Sequence, residues 1–306
     1  MVDYSIIGTK IREMRRAIRL TQDELADGIC TQALISRMEK GDIYPSATAL
    51  YQISKKLGVD VNYFFEIGMT PCLDYIKEVE RQLRKLRINH QYIEMMEMVK
   101  NEENNPLFKD PANAQLLCWH KGIYHFEVVK DQDTAFDLLH KAFQMTADSK
   151  KVLSEIEMEI LLTLGAFHFT NENYQKSLCH YSEVKTALST AEWLQDKSIK
   201  TKLLYNMARV YTRLGNYQES IQYCQKAIKW IIKEEHMYGF AQLHYHLGYN
   251  LELIGDYEQA LPYFEKAAAF FEIQNNMEFV RFIRGKMEKL IDDVNRGTFK
   301  KKSTSH

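Results

Sequence analysis

One short segment of this sequence, which begins at Thr31, carries side chains whose chemistry suits the edges of DNA base pairs. The Gln32 amide can form two hydrogen bonds with adenine, and the Arg37 guanidinium can form two with guanine. The methyl groups of Thr31 and Ala33 can contact the methyl group of thymine. The plainer alternative is that these residues are the solvated face of a helix. The choice depends on the elements that position them.

Apolar residues at steps of three and four predict a helix before this segment. Ile7, Ile11, Met14 and Ile18 form such a stripe. The opposite face of that helix is basic, with Lys10, Arg12, Arg15, Arg16 and Arg19.

Capping residues divide the following segment into four more short helices. Thr21 and Glu24 form a capping box, in which the hydroxyl accepts from a backbone N–H and the carboxylate reaches back. Thr31 can cap the third helix, which ends at Gly41, and Ser46 opens a fourth before a brief fifth. Five short helices, with a helix–turn–helix at the second and third, form a known arrangement for reading DNA.

The order of these residues resembles the lambda-repressor-type (Xre) helix-turn-helix over residues 8 to 65. The motifs that carry the resemblance are Thr21-Gln22-x-x-Leu25-Ala26, Ile35-Ser36-Arg37-x-Glu39-x-Gly41 and Pro45-Ser46-x-x-x-Leu50. In that family the third helix enters the major groove, and the N-terminus of the second helix contacts phosphate. The implied groove-facing residues are Thr31, Gln32, Ala33, Ser36 and Arg37, with Gln22 and Lys40 nearer the DNA backbone. Glu39, by its motif position, is an acceptor inside the domain.

The charge of this region predicts that it acts as a dimer. Residues 1 to 66 contain nine Lys or Arg and nine Asp or Glu, so the region has no net positive charge. Because neutralisation of phosphates dominates the affinity of DNA-binding proteins, one copy should bind weakly. Two copies on half-sites about one helical turn apart would restore affinity, and the rest of the chain should supply the dimer contacts.

The composition of the whole chain excludes several classes of protein. Its 306 residues are 45% hydrophobic and 26% charged, which is ordinary for a globular protein of about two domains. The 13 glycines and 5 prolines are too few for a turn-rich β-sandwich, and no apolar run reaches the roughly 18 residues of a membrane span. No export signal is evident, and five scattered cysteines fit a reducing compartment. We therefore expect an all-α, cytoplasmic protein without membrane contact.

An internal repeat organises the remainder of the chain. Small and aromatic residues between Ala208 and Ala227 recur 40 positions later, between Gly248 and Ala267, and a related frame includes Gly165. The pattern resembles tetratricopeptide repeats, which are helix hairpins that stack into an α-solenoid. The predicted boundaries are a helix-turn-helix domain at 1–67, a linker at 68–75, five hairpins with a capping helix at 76–294, and a basic tail at 295–306.

The first helix of each hairpin is predicted to line the concave face of such a solenoid. An extended peptide needs amide side chains for its backbone, a cation for its carboxylate and apolar pockets for its side chains. The face changes from apolar and aromatic at one end to amides and cations at the other, which suits a peptide; a merely solvated face is the alternative. The candidate peptide-binding residues are Trp119, His120, Thr163, Lys202, Tyr205, Asn206, Arg209, Gln242, Tyr245 and Tyr249.

The order of the two regions resembles the peptide-responsive regulators of Gram-positive bacteria named for Rap, Rgg, NprR, PlcR and PrgX, and most of all their PlcR-like members. The resemblance covers nearly the whole chain. It implies a homodimer, a helical linker around Thr70 to Tyr75, and a re-imported short signalling peptide in the concave face. It also implies that Asn206 contacts the peptide, whereas a second asparagine of the family falls near Ala166 here.

Two other classes of function stay open at this point. The repeats could bind a protein partner, which would make the chain a DNA-binding repressor scaffold. The chain could also be an enzyme, since some related repeat proteins dephosphorylate response regulators. No nucleophile–base pair, metal-ligand spacing or phosphate-binding loop is evident in the sequence, so we predict neither catalysis nor a cofactor.

Overall fold

A computed structural model of the chain describes residues 4–69, 73–147, 152–191 and 193–295. These residues form helices joined by short turns and contain no strand, so the predicted all-α class is confirmed. The predicted tail beyond Asn295, and residues 70–72 of the predicted linker, lie outside the described residues. The helices are α1 (Tyr4–Ala17), α2 (Gln22–Ala26), α3 (Gln32–Lys40), α4 (Ala47–Leu57), α5 (Val61–Met69), α6 (Leu73–Ile88), α7 (Tyr92–Glu102), α8 (Pro111–Tyr124), α9 (Gln132–Ala147), α10 (Glu155–Thr170), α11 (Tyr174–Thr190), α12 (Ser198–Arg213), α13 (Tyr217–Lys233), α14 (Phe240–Leu253), α15 (Tyr257–Ile273) and α16 (Met277–Asn295).

The chain divides into two compact units, with the division between Leu117 and Cys118. The first unit contains α1 to α7, and the second contains the larger part of the repeated hairpins. The domain boundaries predicted at residues 67 and 75 stay predictions. They were drawn from the helix-turn-helix motif and the repeat pattern, whereas the two units are defined by the density of contacts within each.

The start of α2 and the start of α3 are fixed by side-chain caps, as the sequence predicts. The Thr21 hydroxyl accepts from the Glu24 backbone N–H at 3.1 Å, and the Glu24 carboxylate accepts from the Thr21 N–H at 2.7 Å. The bond from the Thr21 N–H and a second one from the Thr21 hydroxyl lower the pKa of Glu24 from its ordinary value, because both favour the ionised carboxylate. The Thr31 hydroxyl accepts from the Leu34 N–H in the same way, so α3 begins immediately after it.

Helices α1 and α3 pack closely around the core of the first five helices. That core includes Ile11, Ile35 and Phe64, none of which has measurable exposure. At Gly8 of α1 a Cβ atom would lie 1.9 Å from the carbonyl oxygen of Met38 in α3. Only glycine therefore allows this approach, which holds the third helix against the first.

The repeated part of the chain consists of antiparallel hairpins. The pairs are α6 with α7, α10 with α11, α12 with α13 and α14 with α15, and α16 packs on α15. Helix α8 meets α9 at Gly122, where a Cβ atom would lie 3.1 Å from the Leu139 side chain. Gly165 shows why the repeat frame needs small residues, because a Cβ atom there would lie 2.3 Å from the Tyr181 ring of the partner helix. The Ser177 hydroxyl donates to the Gly165 carbonyl oxygen at 2.8 Å, which also requires close helices.

The aromatic and thiol side chains of the repeat frame form the core of the second unit. Phe264, Cys224 and Tyr181 are almost completely buried. Burial raises the pKa of Cys224 to about 12, so this thiol stays protonated and inert. The frame residues thus pack between helices, and function must come from the positions that face outward.

Candidate functional site

The outer face of α3 presents the residues that the sequence assigned to DNA. Ile35 and Met38 turn toward the core, which leaves the opposite side of the helix in solvent. Ser36 is half-buried there, and the exposed members of the set are Thr31, Gln32, Ala33, Arg37 and Lys40. This arrangement agrees with a recognition helix, and the contact of each residue with DNA stays a prediction.

A chain of hydrogen bonds from the interior ends on this face. The Glu39 carboxylate accepts from Arg15 Nε at 2.5 Å and from Arg15 Nη2 at 2.8 Å. Gln22 Nε2 donates to the same carboxylate at 2.8 Å, and Gln32 Nε2 donates to Gln22 Oε1 at 2.7 Å. Because one end of the chain is a buried ion pair, the side chain of Gln32 is held in a fixed position.

The Glu39 carboxylate is ionised inside this network. Burial raises the pKa of Glu39, but the hydrogen bonds from Arg15 and Gln22 and the charge of Arg15 outweigh burial, so the pKa lies below its ordinary value. The sequence identified Glu39 as an internal acceptor and placed Arg15 on the polar face of α1. The structure shows Arg15 buried instead, with 8% exposure. Because a buried carboxylate needs a counter-ion, the internal position of Glu39 was the signal that could have predicted a buried basic partner such as Arg15.

The network leaves Gln32 able to read a base. A glutamine amide has two N–H donors and one carbonyl acceptor, and only one donor is used by Gln22. The remaining donor and acceptor match N7 and the N6 amino group of adenine. The Gln22 amide, which the resemblance placed near phosphate, lies between Glu39 and Gln32 and orients the latter.

The second set of candidate residues follows the repeat frame across three first helices. Position by position, Glu159 of α10 corresponds to Lys202 of α12 and Gln242 of α14. The Lys202 ammonium forms an ion pair with the Glu159 carboxylate and lies 4.0 Å from Asp196 Oδ2. Lys202 is therefore already neutralised by the protein's own carboxylates.

Two amide side chains and one cation on this face have no such partner. The half-buried Asn206 side chain forms no hydrogen bond with any residue that the structure describes. Gln242 Oε1 is buried and likewise has no partner in the described part of the chain. The Arg209 guanidinium faces no carboxylate in those ranges; its Cζ lies 4.3 Å from the centre of the Phe169 ring and 5.9 Å from that of Tyr205. Of the two cations among the candidate peptide-binding residues, Lys202 and Arg209, only Arg209 lacks a carboxylate partner in the described ranges.

Aromatic side chains line the same face beyond Gln242. The Tyr245 and Tyr249 rings stack with centres 6.3 Å apart, and Tyr245 also lies 5.6 Å from Phe264. Burial raises the pKa of Tyr245 to about 12, so its hydroxyl stays neutral. The face thus combines unpaired amides, a cation and aromatic surface.

The apolar end of the predicted site lies deeper in the structure. Trp119 and His120 are 4% and 1% exposed. Trp119 Nε1 donates to the Thr163 hydroxyl at 3.0 Å, and that hydroxyl donates to the Glu159 carbonyl oxygen at 2.8 Å. These side chains pack within the hairpins here, and their contact with a ligand stays a prediction.

A buried polar cluster behind the face was not foreseen from the sequence. The Thr212 hydroxyl lies 2.7 Å from Asn250 Oδ1, 3.0 Å from His246 Nε2 and 2.9 Å from the Ser220 hydroxyl. Burial lowers the pKa of His246 to about 4, so the ring is neutral and can share these bonds. His246 occupies the repeat position of Asn206, and the ring of Tyr205 lies 5.7 Å from it. The cluster connects α12 with α14 beside the unpaired amides.

The described ranges contain neither a metal-binding cluster nor a membrane-spanning helix. No group of three or more His, Cys, Asp or Glu side chains there could hold a metal ion. No described helix is both long enough and apolar enough to cross a bilayer.

Sequence profiles match both parts of the chain. The profile of the RNPP family C-terminal domain matches residues 80–290, and a helix-turn-helix profile matches residues 11–64. The transcriptional activator NprA of Geobacillus stearothermophilus is 24% identical over 264 residues, which make up 84% of this chain and 60% of NprA. This chain therefore corresponds to about three fifths of the length of that relative.

Solved structures share the fold over nearly the whole chain. PlcR of Bacillus thuringiensis, in complex with the peptide PapR7 and DNA, aligns with a TM-score of 0.78 and 23% identity over 94% of this chain and 99% of PlcR. ComR of S. thermophilus, in complex with DNA and its signalling peptide ComS, aligns with a TM-score of 0.62 and 16% identity over 93% and 99%. The predicted fold, a lambda-repressor-like domain followed by a helical-repeat domain, is confirmed. Since the C-terminal profile covers more than two thirds of its length, the chain belongs to the RNPP family, as its motifs predicted.

Proposed function

We propose that this chain is a quorum-sensing transcriptional regulator. A homodimer binds operator DNA through α3 of each copy, and a short signalling peptide bound on the concave face of the repeats controls that binding. The protein works in the cytoplasm, where both the DNA and a re-imported peptide are present. Its activity is regulation rather than catalysis, which agrees with its membership of the RNPP family.

One observation carries the peptide part of this proposal. Asn206 and Gln242 lie on neighbouring first helices, and both have amide groups without partners in the described part of the chain. A half-buried amide that lacks a partner is unfavourable, and a peptide backbone supplies both the donor and the acceptor that such amides need. Arg209, with no carboxylate of its own, adds a cation for an acidic side chain or a C-terminus.

The DNA part rests on the exposed face of α3 and on its fixed glutamine. The Gln22–Gln32 bond orders the reading side chain before DNA arrives, so little rotamer entropy is lost on binding. The near-zero charge of residues 1 to 66 requires a second copy for useful affinity.

Titration calorimetry tests the peptide site. Short synthetic peptides encoded by the reading frames beside this gene serve as probes. Operator DNA is identified by mapping the genomic sites that the protein binds. Asn206→Ala should weaken the best peptide by about tenfold or more, since one peptide amide would lose its partner. It should also abolish the peptide's effect on operator affinity, while affinity for the operator without peptide stays near wild type. Arg209→Ala should weaken the same peptide.

Lys226→Ala is the control, because Lys226 is exposed on α13, the second helix of the same hairpin. It should leave peptide affinity within about twofold. Wild-type affinity in Asn206→Ala would reject the site. Equal operator affinity with and without saturating peptide would reject the switch and favour the scaffold that binds a protein partner.

A further inference from the structure

A cavity of about 650 Å³ lies on the side of α14 that faces away from the candidate peptide site. Phe240, His244 and Leu247 of α14 line it, whereas Gln242 and Tyr245 point to the opposite side of the same helix. Residues of α13 and α15 complete its lining. Its volume falls within the roughly 300–1,000 Å³ of small-molecule pockets.

The interior of this cavity is apolar. Leu247 is 1% exposed at its base, and Phe240 and Phe270 form an edge-to-face pair with ring centres 4.4 Å apart. Ile228 and Ile232, one helical turn apart on α13, form one wall, and Ile232 is 64% exposed. So exposed an isoleucine, at the rim of an apolar cavity, favours a ligand with a hydrocarbon body.

The charged groups of the cavity lining are cations on both walls, and Gln225, His244 and Tyr263 are its other polar residues. Lys229 belongs to α13 and Lys266 to α15. In the part of the chain that the structure describes, neither ammonium has a carboxylate partner, although Lys266 lies 5.3 Å from the centre of the Tyr263 ring. Both lysines therefore lie on an apolar cavity without neutralisation, which is the complement of an anion attached to an apolar body.

We propose that this cavity is a binding site for a small amphiphilic carboxylate, separate from the peptide site. The hydrocarbon body lies on Leu247, Phe240 and Phe270, and the carboxylate lies between the ammonium groups of Lys229 and Lys266. Burial lowers the pKa of His244, although its Nδ1 donates to the Phe240 carbonyl oxygen at 2.8 Å, so the lysines supply the positive charge. The proposal does not depend on the peptide or DNA functions.

Calorimetric titration of the full-length chain with sodium decanoate tests the site. We expect saturable binding of one decanoate per chain, weakened as salt is added because the charges are near the surface. Lys229→Gln and Lys266→Gln should each lower affinity about three- to fivefold, and the double variant about tenfold or more. Lys226→Gln on α13, an exposed lysine outside the cavity, should change it less than twofold.

Two further variants and one neutral probe make the result decisive. Ile232→Glu places a negative charge on the rim and should abolish decanoate binding, and circular dichroism should show that this exposed position tolerates the change. Asn206→Ala should leave decanoate affinity unchanged. The proposal is overturned by absence of saturable binding, by unchanged affinity in the double lysine variant, or by 1-decanol binding as tightly as decanoate. Loss of decanoate binding in Asn206→Ala would overturn it as well, because the ligand would then occupy the concave face.

Discussion

Removal of one partner of the Arg15–Glu39 pair should destabilise the first five helices far more than removal of both. In Arg15→Met the Glu39 carboxylate, whose side chain is 2% exposed, keeps only the hydrogen bond from Gln22. Breaking a buried ion pair in this way costs about 3–5 kcal/mol. The bond from Arg15 Nη1 to the Leu20 carbonyl oxygen, at 2.7 Å, is lost in the same variant. Such a loss is a large part of the roughly 5–15 kcal/mol that holds a domain folded.

The double variant Arg15→Met/Glu39→Met leaves no buried charge. Its cost should be about 2 kcal/mol or less, because two apolar side chains replace the pair. The expected coupling free energy between the two positions is therefore at least about 1–3 kcal/mol. A coupling of this size requires that the two charges interact directly in the folded protein.

Hydrogen exchange of backbone amides in α1 and α3, followed by mass spectrometry, measures these free energies in the intact chain. Tryptophan fluorescence during urea unfolding is the internal control, because Trp119, Trp193 and Trp230 all lie in the second unit. The fluorescence transition should be the same in all variants. The reasoning is refuted if the single and double variants cost the same, or if Arg15→Met costs less than about 1 kcal/mol.

Three other predictions follow from contacts described above. The low pKa of Glu39 means that its contribution to stability is full above the ordinary value of 4.5 and is lost as pH falls through the folded value. Protection factors in α3, which correct the exchange rates for the pH dependence of intrinsic exchange, should therefore fall below about pH 4.5 in the wild type and depend less on pH in Glu39→Gln. Gly165→Ala should cost about 1–3 kcal/mol by overpacking against Tyr181, whereas Gly285→Ala, with open space around its Cβ position, should be neutral or slightly stabilising, as read by urea unfolding. Gln22→Ala should relax preference at the same base pair as Gln32→Ala in operator-variant titrations, and preference loss at different base pairs would contradict the Gln22–Gln32 contact.

The local signals in this sequence were sufficient to predict the helices. The capping residues Thr21 and Thr31 start α2 and α3 where the sequence places them. The small residue Gly165 lies where two helices of a hairpin meet. Such signals depend on a few neighbouring residues and on backbone geometry, so they can be read without tertiary contacts.

Contacts between residues that are far apart along the chain could not be predicted from the sequence alone. Arg15 belongs by periodicity to the polar face of α1, yet it is buried because Glu39, 24 positions later, needs a counter-ion. The choice between Lys202 and Arg209 as the free cation depended on Glu159, which lies 43 positions before Lys202. Pairings of this kind follow from packing, and a single sequence does not record them.

The repeat frame separates the residues that pack the hairpins from those that we propose contact the peptide. Glu159, Lys202 and Gln242 occupy one position in three successive first helices, yet they carry a negative charge, a positive charge and an amide. The residues that close each hairpin, such as Gly165 and Tyr181, are not among them. A substitution at Gln242 should therefore alter one point of the proposed peptide contact and leave the hairpin contacts intact, whereas Glu159 and Lys202 also form an ion pair between α10 and α12. Such a protein can diverge toward a new signal one residue at a time, and a duplicated copy can leave its parent's signal without first losing its fold.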